Sequence, residues 1–163
     1  MAEDRRLKGN LAAVSICAHF SANEYSSQAL VNAGALTPLV AVLSSMRGNI
    51  IRSWRPPTSE ECRKFAAQRG AAQALANMAS SGAVHEALIE AGVLGALRMS
   101  LEHAARSLGR DRELADHAVR CLTSCVNNEA MHQSVSDAGV LRPLLAVFTS
   151  GTLSSSLAGI ASP

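Results

Sequence analysis

The sequence predicts an all-α fold built from a repeated helical unit, and three observations predict it. The first is composition: 48% of the 163 residues are apolar, yet only three Phe, one Tyr and one Trp are aromatic. Ala (29) and Leu (19) far outnumber Val (11) and Ile (5). Ala and Leu lose little rotamer freedom in a helix, whereas strands favour β-branched and aromatic residues. A β-sandwich or barrel is therefore not expected. The second is self-similarity: residues 13–34, 71–92 and 118–139 align over 22 positions without a gap, each opening on Ala and closing on Ala-Gly. The third is spacing: apolar residues such as Leu11, Val14, Cys17 and Ala18 recur at helical intervals.

Each repeat reads as three helices. A long Ala-rich helix is predicted over residues 5–20, 60–79 and 111–126. A short polar link follows, Ser80-Ser81-Gly82 in the second repeat and Asn127-Asn128 in the third. A second, short helix ends at Ala-Gly, where glycine can adopt the left-handed conformation that closes a helix. A third helix carries Pro38, Ala96 or Pro143 in its first turn. A proline fits there because that N–H has no partner within the helix. Leu36, Leu94 and Leu141 coincide, as do Leu39, Leu97 and Leu144.

From Gly34 to Gly92 the interval is 58 residues, and from Gly92 to Gly139 it is 47. The second lies in the range of about 40–47 typical of HEAT and armadillo repeats. The first is 11 longer, which places an insertion at about residues 46–59. The array then occupies residues 1–150, and residues 151–163 read as a flexible or partly ordered tail.

Leu75-Ala-Asn-Met78, a following helix ending Ile89-Glu-Ala-Gly92, and Val-Leu-Gly-Ala-Leu97 resemble the armadillo repeat. The resemblance spans roughly residues 5–150. HEAT repeats are the nearest confusion, but usually have two helices and no Ala-Gly ending. The resemblance implies a right-handed α-solenoid of about three repeats that binds other proteins, often as extended segments along a groove lined by the long helices. In peptide-binding members of the family, an Asn on that helix holds the partner backbone and a Trp four residues earlier packs on its side chains. Here the Asn position holds His19, Asn77 and Ser124, and the Trp position holds Ser15, Gln73 and Arg120. Only Asn77 matches, which argues against nuclear-signal binding in the manner of importin-α and leaves general protein binding untouched. The chain also starts and stops out of phase with a whole repeat. A fragment of a longer array, or an array completed by a partner, is expected, with Leu144, Leu145, Val147 and Phe148 lacking a repeat to pack on.

The partner-binding candidates are thus Ser15, His19, Gln73, Asn77, Arg120 and Ser124. A polar row across stacked helices could hydrogen-bond an extended backbone; equally, it could be the wet face of amphipathic helices. The insertion supplies an alternative function. Six basic and two acidic residues lie between Met46 and Gly70, with Arg52, Trp54 and Arg55 at the centre. Such a loop could grip RNA, an acidic peptide or an anionic membrane surface, or simply be a solvated loop whose Ile50, Ile51 and Trp54 fold back on a helix.

The remaining signals are negative. A net charge of +2 is small for a dedicated nucleic-acid binder. His117, Cys121 and Cys125 share a helix face, but no fourth zinc ligand follows, and the register places both cysteines at core positions shared with Ile16, Ala74, Phe20 and Met78. No phosphate loop, nucleophile elbow or His-Glu-x-x-His occurs. No enzyme activity, cofactor, metal or small-molecule substrate is expected. Residues 25–46 carry no charge, but Asn32, Gly34, Thr37 and Pro38 interrupt them, so no span of about 20 apolar residues forms. No signal peptide is expected, because Met1-Ala-Glu-Asp-Arg-Arg6 lacks an apolar core. Reduced thiols and the cytoplasm are expected, with the nucleus as the alternative.

Overall fold

The computed structural model describes residues 2–45, 58–107 and 111–150, with side chains from Gly9 onward. These residues form nine α-helices, two short 3-10 helices and no strand. The helices are α1 (Ala2–Phe20), α2 (Glu24–Asn32), α3 (Leu36–Ser44), α4 (Ser59–Ala79), α5 (His85–Glu90), α6 (Val93–Arg106), α7 (Arg112–Val126), α8 (His132–Asp137) and α9 (Leu141–Thr149). The all-helical class and the three-helix unit follow the sequence. The long helices α4 and α7 start within a residue of expectation, and α1 starts earlier.

Local chemistry sets the boundaries. Thr58 and Ser59, assigned above to the insertion, cap and open α4. The Thr58 hydroxyl accepts from the Glu61 N–H at 3.2 Å, and the Glu61 carboxylate accepts from the Thr58 N–H at 2.6 Å. That reciprocal arrangement satisfies two donors that the first turn leaves open. Gly34, Gly92 and Gly139 have φ of 75°, 75° and 66° and end the short helices. At the first, Gly34 N–H donates to the Val31 carbonyl at 2.9 Å and Ala35 N–H to the Leu30 carbonyl at 3.0 Å, the paired bonds of a Schellman motif. The turn brings α2 and α3 together at 88°, which divides the uncharged stretch. Among the described residues no single helix is long and apolar enough to cross a membrane.

The second element differs among repeats. In the first, the Asn23 side chain accepts from the N–H of Ser26 and α2 runs unbroken. In the third, Asn128 accepts from Ala130, only two residues on, and a 3-10 turn (Glu129–Met131) precedes α8. The second repeat has the corresponding 3-10 turn at Gly82–Val84 before α5.

The long helices lie side by side in chain order, α1 against α4 and α4 against α7. A second row follows the same order, α3 against α6 and α6 against α9. Neighbouring long helices run parallel. An added Cβ at Gly70 would meet Val14, and the Asn77 amide reaches Ala18; Arg69 meets Glu113, and Leu75 meets Cys121. In both pairs the contacts advance in the same direction. The middle helix is enclosed: Ala71, Ala72, Ala74, Leu75, Ala76, Met78 and Ala79 are all buried. Cys121 and Cys125 are fully buried, as their register required. Two core-like positions behave differently. Ile16 and Phe20, equivalent to Ala74 and Met78, are 67% and 52% exposed, because among the described residues no helix lies on the outer side of α1. Val147, expected to lack a packing surface, is fully buried because it points toward α6; Leu145 and Phe148 are exposed.

Two glycines test the packing in opposite directions. A Cβ on Gly70 would lie 2.8 Å from Val14 Cγ1, and Val14 is stiff at χ1. Gly70→Ala is expected to destabilise by about 1–3 kcal/mol despite its better helix propensity. Gly95 in α6 faces open space, so Gly95→Ala should raise Tm by about 2–4 °C. Thermal melts of the two variants check both signs.

Candidate functional site

The six predicted partner-binding residues stand on α1, α4 and α7 at equivalent positions, but in different environments. Ser15, His19, Gln73 and Arg120 are exposed; Asn77 and Ser124 are half-buried. On α4, whose C-terminal half is otherwise enclosed, Gln73 is the residue that reaches water and Asn77 stands one turn further on.

Asn77 already has a partner within the chain. Its amide Nδ2 donates to the Ala18 carbonyl of α1 at 3.0 Å. The one residue that matches the armadillo pattern therefore ties two neighbouring long helices together. His19 Nδ1 lies 2.8 Å from the Ser15 carbonyl of its own helix and donates to it. Ser124 lines a shallow hollow of about 420 Å³ between the links that follow α4 and α7, with Ser80, His85, Asn127 and Asn128. Arg52, Trp54 and Arg55 of the insertion lie outside the described residues.

A polar device that the sequence reading missed holds the links. Ser27, His85 and His132 occupy one repeat position, and each reaches back to the carbonyl six residues earlier. Ser27 Oγ donates to Ser21 O at 3.2 Å, His85 Nε2 to Ala79 O at 2.7 Å, and His132 Nε2 to Val126 O at 2.7 Å. These are carbonyls at or just beyond the C-terminal end of each long helix, where intrahelical donors run out. Because a carbonyl only accepts, both imidazoles carry their proton on Nε2, and Nδ1 is left as an acceptor. The His85 Nδ1 receives a hydrogen bond from the Asn128 amide at 3.0 Å, linking the second repeat to the third. Between the first and second, Ser81 at the same position as Asn128 donates to the Glu24 carboxylate at 3.2 Å. The signal was in the alignment: Asn23, Ser81 and Asn128 coincide.

The cysteines and His117 do not form a ligand set. Among the described residues no three His, Cys, Asp or Glu side chains converge on one point. The Cys121 thiol donates to the Leu75 carbonyl at 3.6 Å. Its hydrogen bond with Cys125, and then burial, push its pKa well above the ordinary thiol value. It therefore stays protonated and packs as a small apolar group. His117 is half-buried beside Arg120, and its Nδ1 is buried without a partner among the described residues.

Comparison with known proteins gives no match: no family model, no curated protein and no solved structure matches the chain.

Two expectations follow. Asn77→Ala should lower stability by about 1 kcal/mol, because the bond between α4 and the Ala18 carbonyl is lost and that carbonyl keeps the Ser21 hydroxyl as its side-chain donor. Gln73→Ala should stay within about 0.5 kcal/mol; denaturant melts distinguish them. Burial, and then the charge of Arg120, lower the His117 pKa from its ordinary 6.5, against smaller opposing effects of Glu113 and Asp116. The unfolded chain thus binds that proton more readily than the folded one, so stability should fall as pH drops below about 6.5. Melts against pH should show that slope reduced in His117→Gln, and imidazole NMR should show the His117 titration moving up in Arg120→Ala.

Proposed function

We propose that the chain is a protein-binding scaffold of the armadillo-like kind, a right-handed solenoid of about three repeats that receives an extended partner segment across its long helices. The observation that carries this reading is the exposure pattern of α4. Nearly every other side chain of its C-terminal half is covered, and the Gln73 amide remains open between Ser15 and His19 on α1 and Arg120 on α7. A Gln amide offers both a donor and an acceptor, the complement of a peptide backbone, and Arg120 offers a fork of donors to a carboxylate or carbonyl. Ser15 and His19 extend the row, though His19 Nδ1 is engaged by its own helix. Asn77 acts one step back: through Ala18 it holds α1 against α4, so the row is rigid before a partner arrives. Rigidity on the scaffold side keeps the ordering cost of binding low.

The function proposed is binding, with no chemical step, cofactor or metal, in the cytoplasm or the nucleus. A library of random 12-residue peptides displayed on phage, selected against the intact chain, supplies the probe. Selected peptides should bind Gln73→Ala and Arg120→Ala at least about ten-fold more weakly, with Tm unchanged within about 1 °C. Peptides that bind both variants as tightly as the parent would remove the long-helix face as the site.

A further inference from the structure

The two ends of the stack carry exposed residues at positions that are buried inside it. Inside the molecule, the α1-type position of Ile16 is filled by Ala74 and Cys121, and that of Phe20 by Met78 and Cys125. All four of these interior residues are fully buried against the preceding repeat, whereas Ile16 and Phe20 are 67% and 52% exposed. At the other end, Leu141 and Phe148 of α9 stand where Leu36 and Leu43 stand in α3, and Leu94 and Leu101 in α6. The interior residues are at most 6% exposed; Leu141 and Phe148 are 54% and 59% exposed. Single exposed apolar residues need no explanation, but clusters on one face do.

The polar link repeats the match. Between the second and third repeats, Asn128 donates to Nδ1 of His85. The same two residue types recur at the two ends: Asn23 occupies the Asn128 position on the α1 end, and His132 occupies the His85 position on the α9 end. Both are exposed. His132 donates through Nε2 to Val126 O, as His85 does to Ala79 O, which leaves its Nδ1 as an acceptor. Asn23 uses its Oδ1 to accept from Ser26, as Asn128 uses its own to accept from Ala130. In both residues the oxygen is occupied by a local N–H, which leaves the amide nitrogen as the donor for a neighbouring repeat.

We propose that a second copy of this chain covers these faces, head to tail: the α9 end of one molecule, with Leu141, Phe148 and His132, seats on the α1 end of the next, with Ile16, Phe20 and Asn23. The contact continues the stacking already present between repeats, and it does not depend on the long-helix row that would hold a peptide. Because different patches meet, each molecule retains one open end, and the association extends beyond two molecules.

The test uses sedimentation velocity and light scattering on the full 163-residue chain. The weight-average mass should rise with concentration above 17.0 kDa and past the dimer. Phe20→Glu and Phe148→Glu should each leave a monomer, since each removes one half of the contact. Mixed in equal amounts, they should form a one-to-one dimer through the two intact halves. His132→Ala should weaken assembly about five-fold, the effect of one hydrogen bond. Both Glu substitutions are at exposed positions, and circular dichroism melts report their folding; Ile16→Lys and Leu141→Lys are the second pair if either melts early. A parent chain that stays monomeric at millimolar concentration would overturn the proposal. So would a dimer formed by either variant alone, which would mean that like faces meet, or a mixture that fails to associate.

Discussion

The enclosure of α4 is the constraint on which the rest of the structure depends. A helix with a neighbour on several sides can be approached closely only where its side chains are short, because interaxial distance follows the residues at the contact. The C-terminal half of α4 meets this condition with Ala71, Ala72, Ala74, Ala76 and Ala79, interrupted by Leu75 and Met78. Gly70 takes the demand to its limit, standing where Val14 of α1 leaves no room for a Cβ. The Ala-rich composition is the sequence-level trace of this packing. It also accounts for the scarcity of aromatics: none of the four described ones, Phe20, Tyr25, Phe65 and Phe148, is buried.

Close packing of aliphatic groups fixes distance but not register. Polar contacts do that here, and they sit at the rims of the stack. Asn77 reaches the Ala18 carbonyl, Asn128 reaches His85, and Ser81 reaches Glu24, each joining one repeat to its neighbour. His103 donates through Nε2 to Asp111 at 2.9 Å and joins the end of α6 to the start of α7. All four involve a buried or half-buried donor or acceptor that would be costly to leave unpaired. A one-residue slip between repeats would strand several of them at once.

The helices were legible in the sequence because their signals are local. Periodicity, Ala-Gly endings and the Pro38 and Pro143 positions all act within a few residues, and they placed α4 and α7 to within a residue. The alignment likewise placed Cys121 and Cys125 in the core. What the sequence could not supply was which neighbour each helix face meets. Ile16 and Phe20 have the spacing of core residues and become surface because none of the described helices lies outside α1. Val147 and Phe148 are adjacent in sequence, yet one points to α6 and the other away from it. Asn77 looked like a ligand-holding residue on family pattern, and only the proximity of Ala18 reveals that its amide is already engaged.

This difference between pattern and neighbourhood bears on how a repeat protein acquires a function. Every interior repeat must satisfy two faces, so Ala, Leu and small polar linkers recur there under a common packing demand. Gln73 departs from that demand: it is a long polar side chain on a helix where almost every other position is covered, and no packing contact requires it. The equivalent positions carry Ser15 and Arg120, which differ in size and charge yet stay exposed. A position that is open in all three repeats and filled differently in each is free of the stacking constraint, and variation there leaves the helices beneath it undisturbed. Ile16 and Phe20 are the opposite case, residues of interior type at a position that has lost its neighbour. Chemistry suited to water at Gln73 and chemistry suited to a core at Phe20 therefore separate the two proposed contacts, one lateral across the long helices and one axial along the stack.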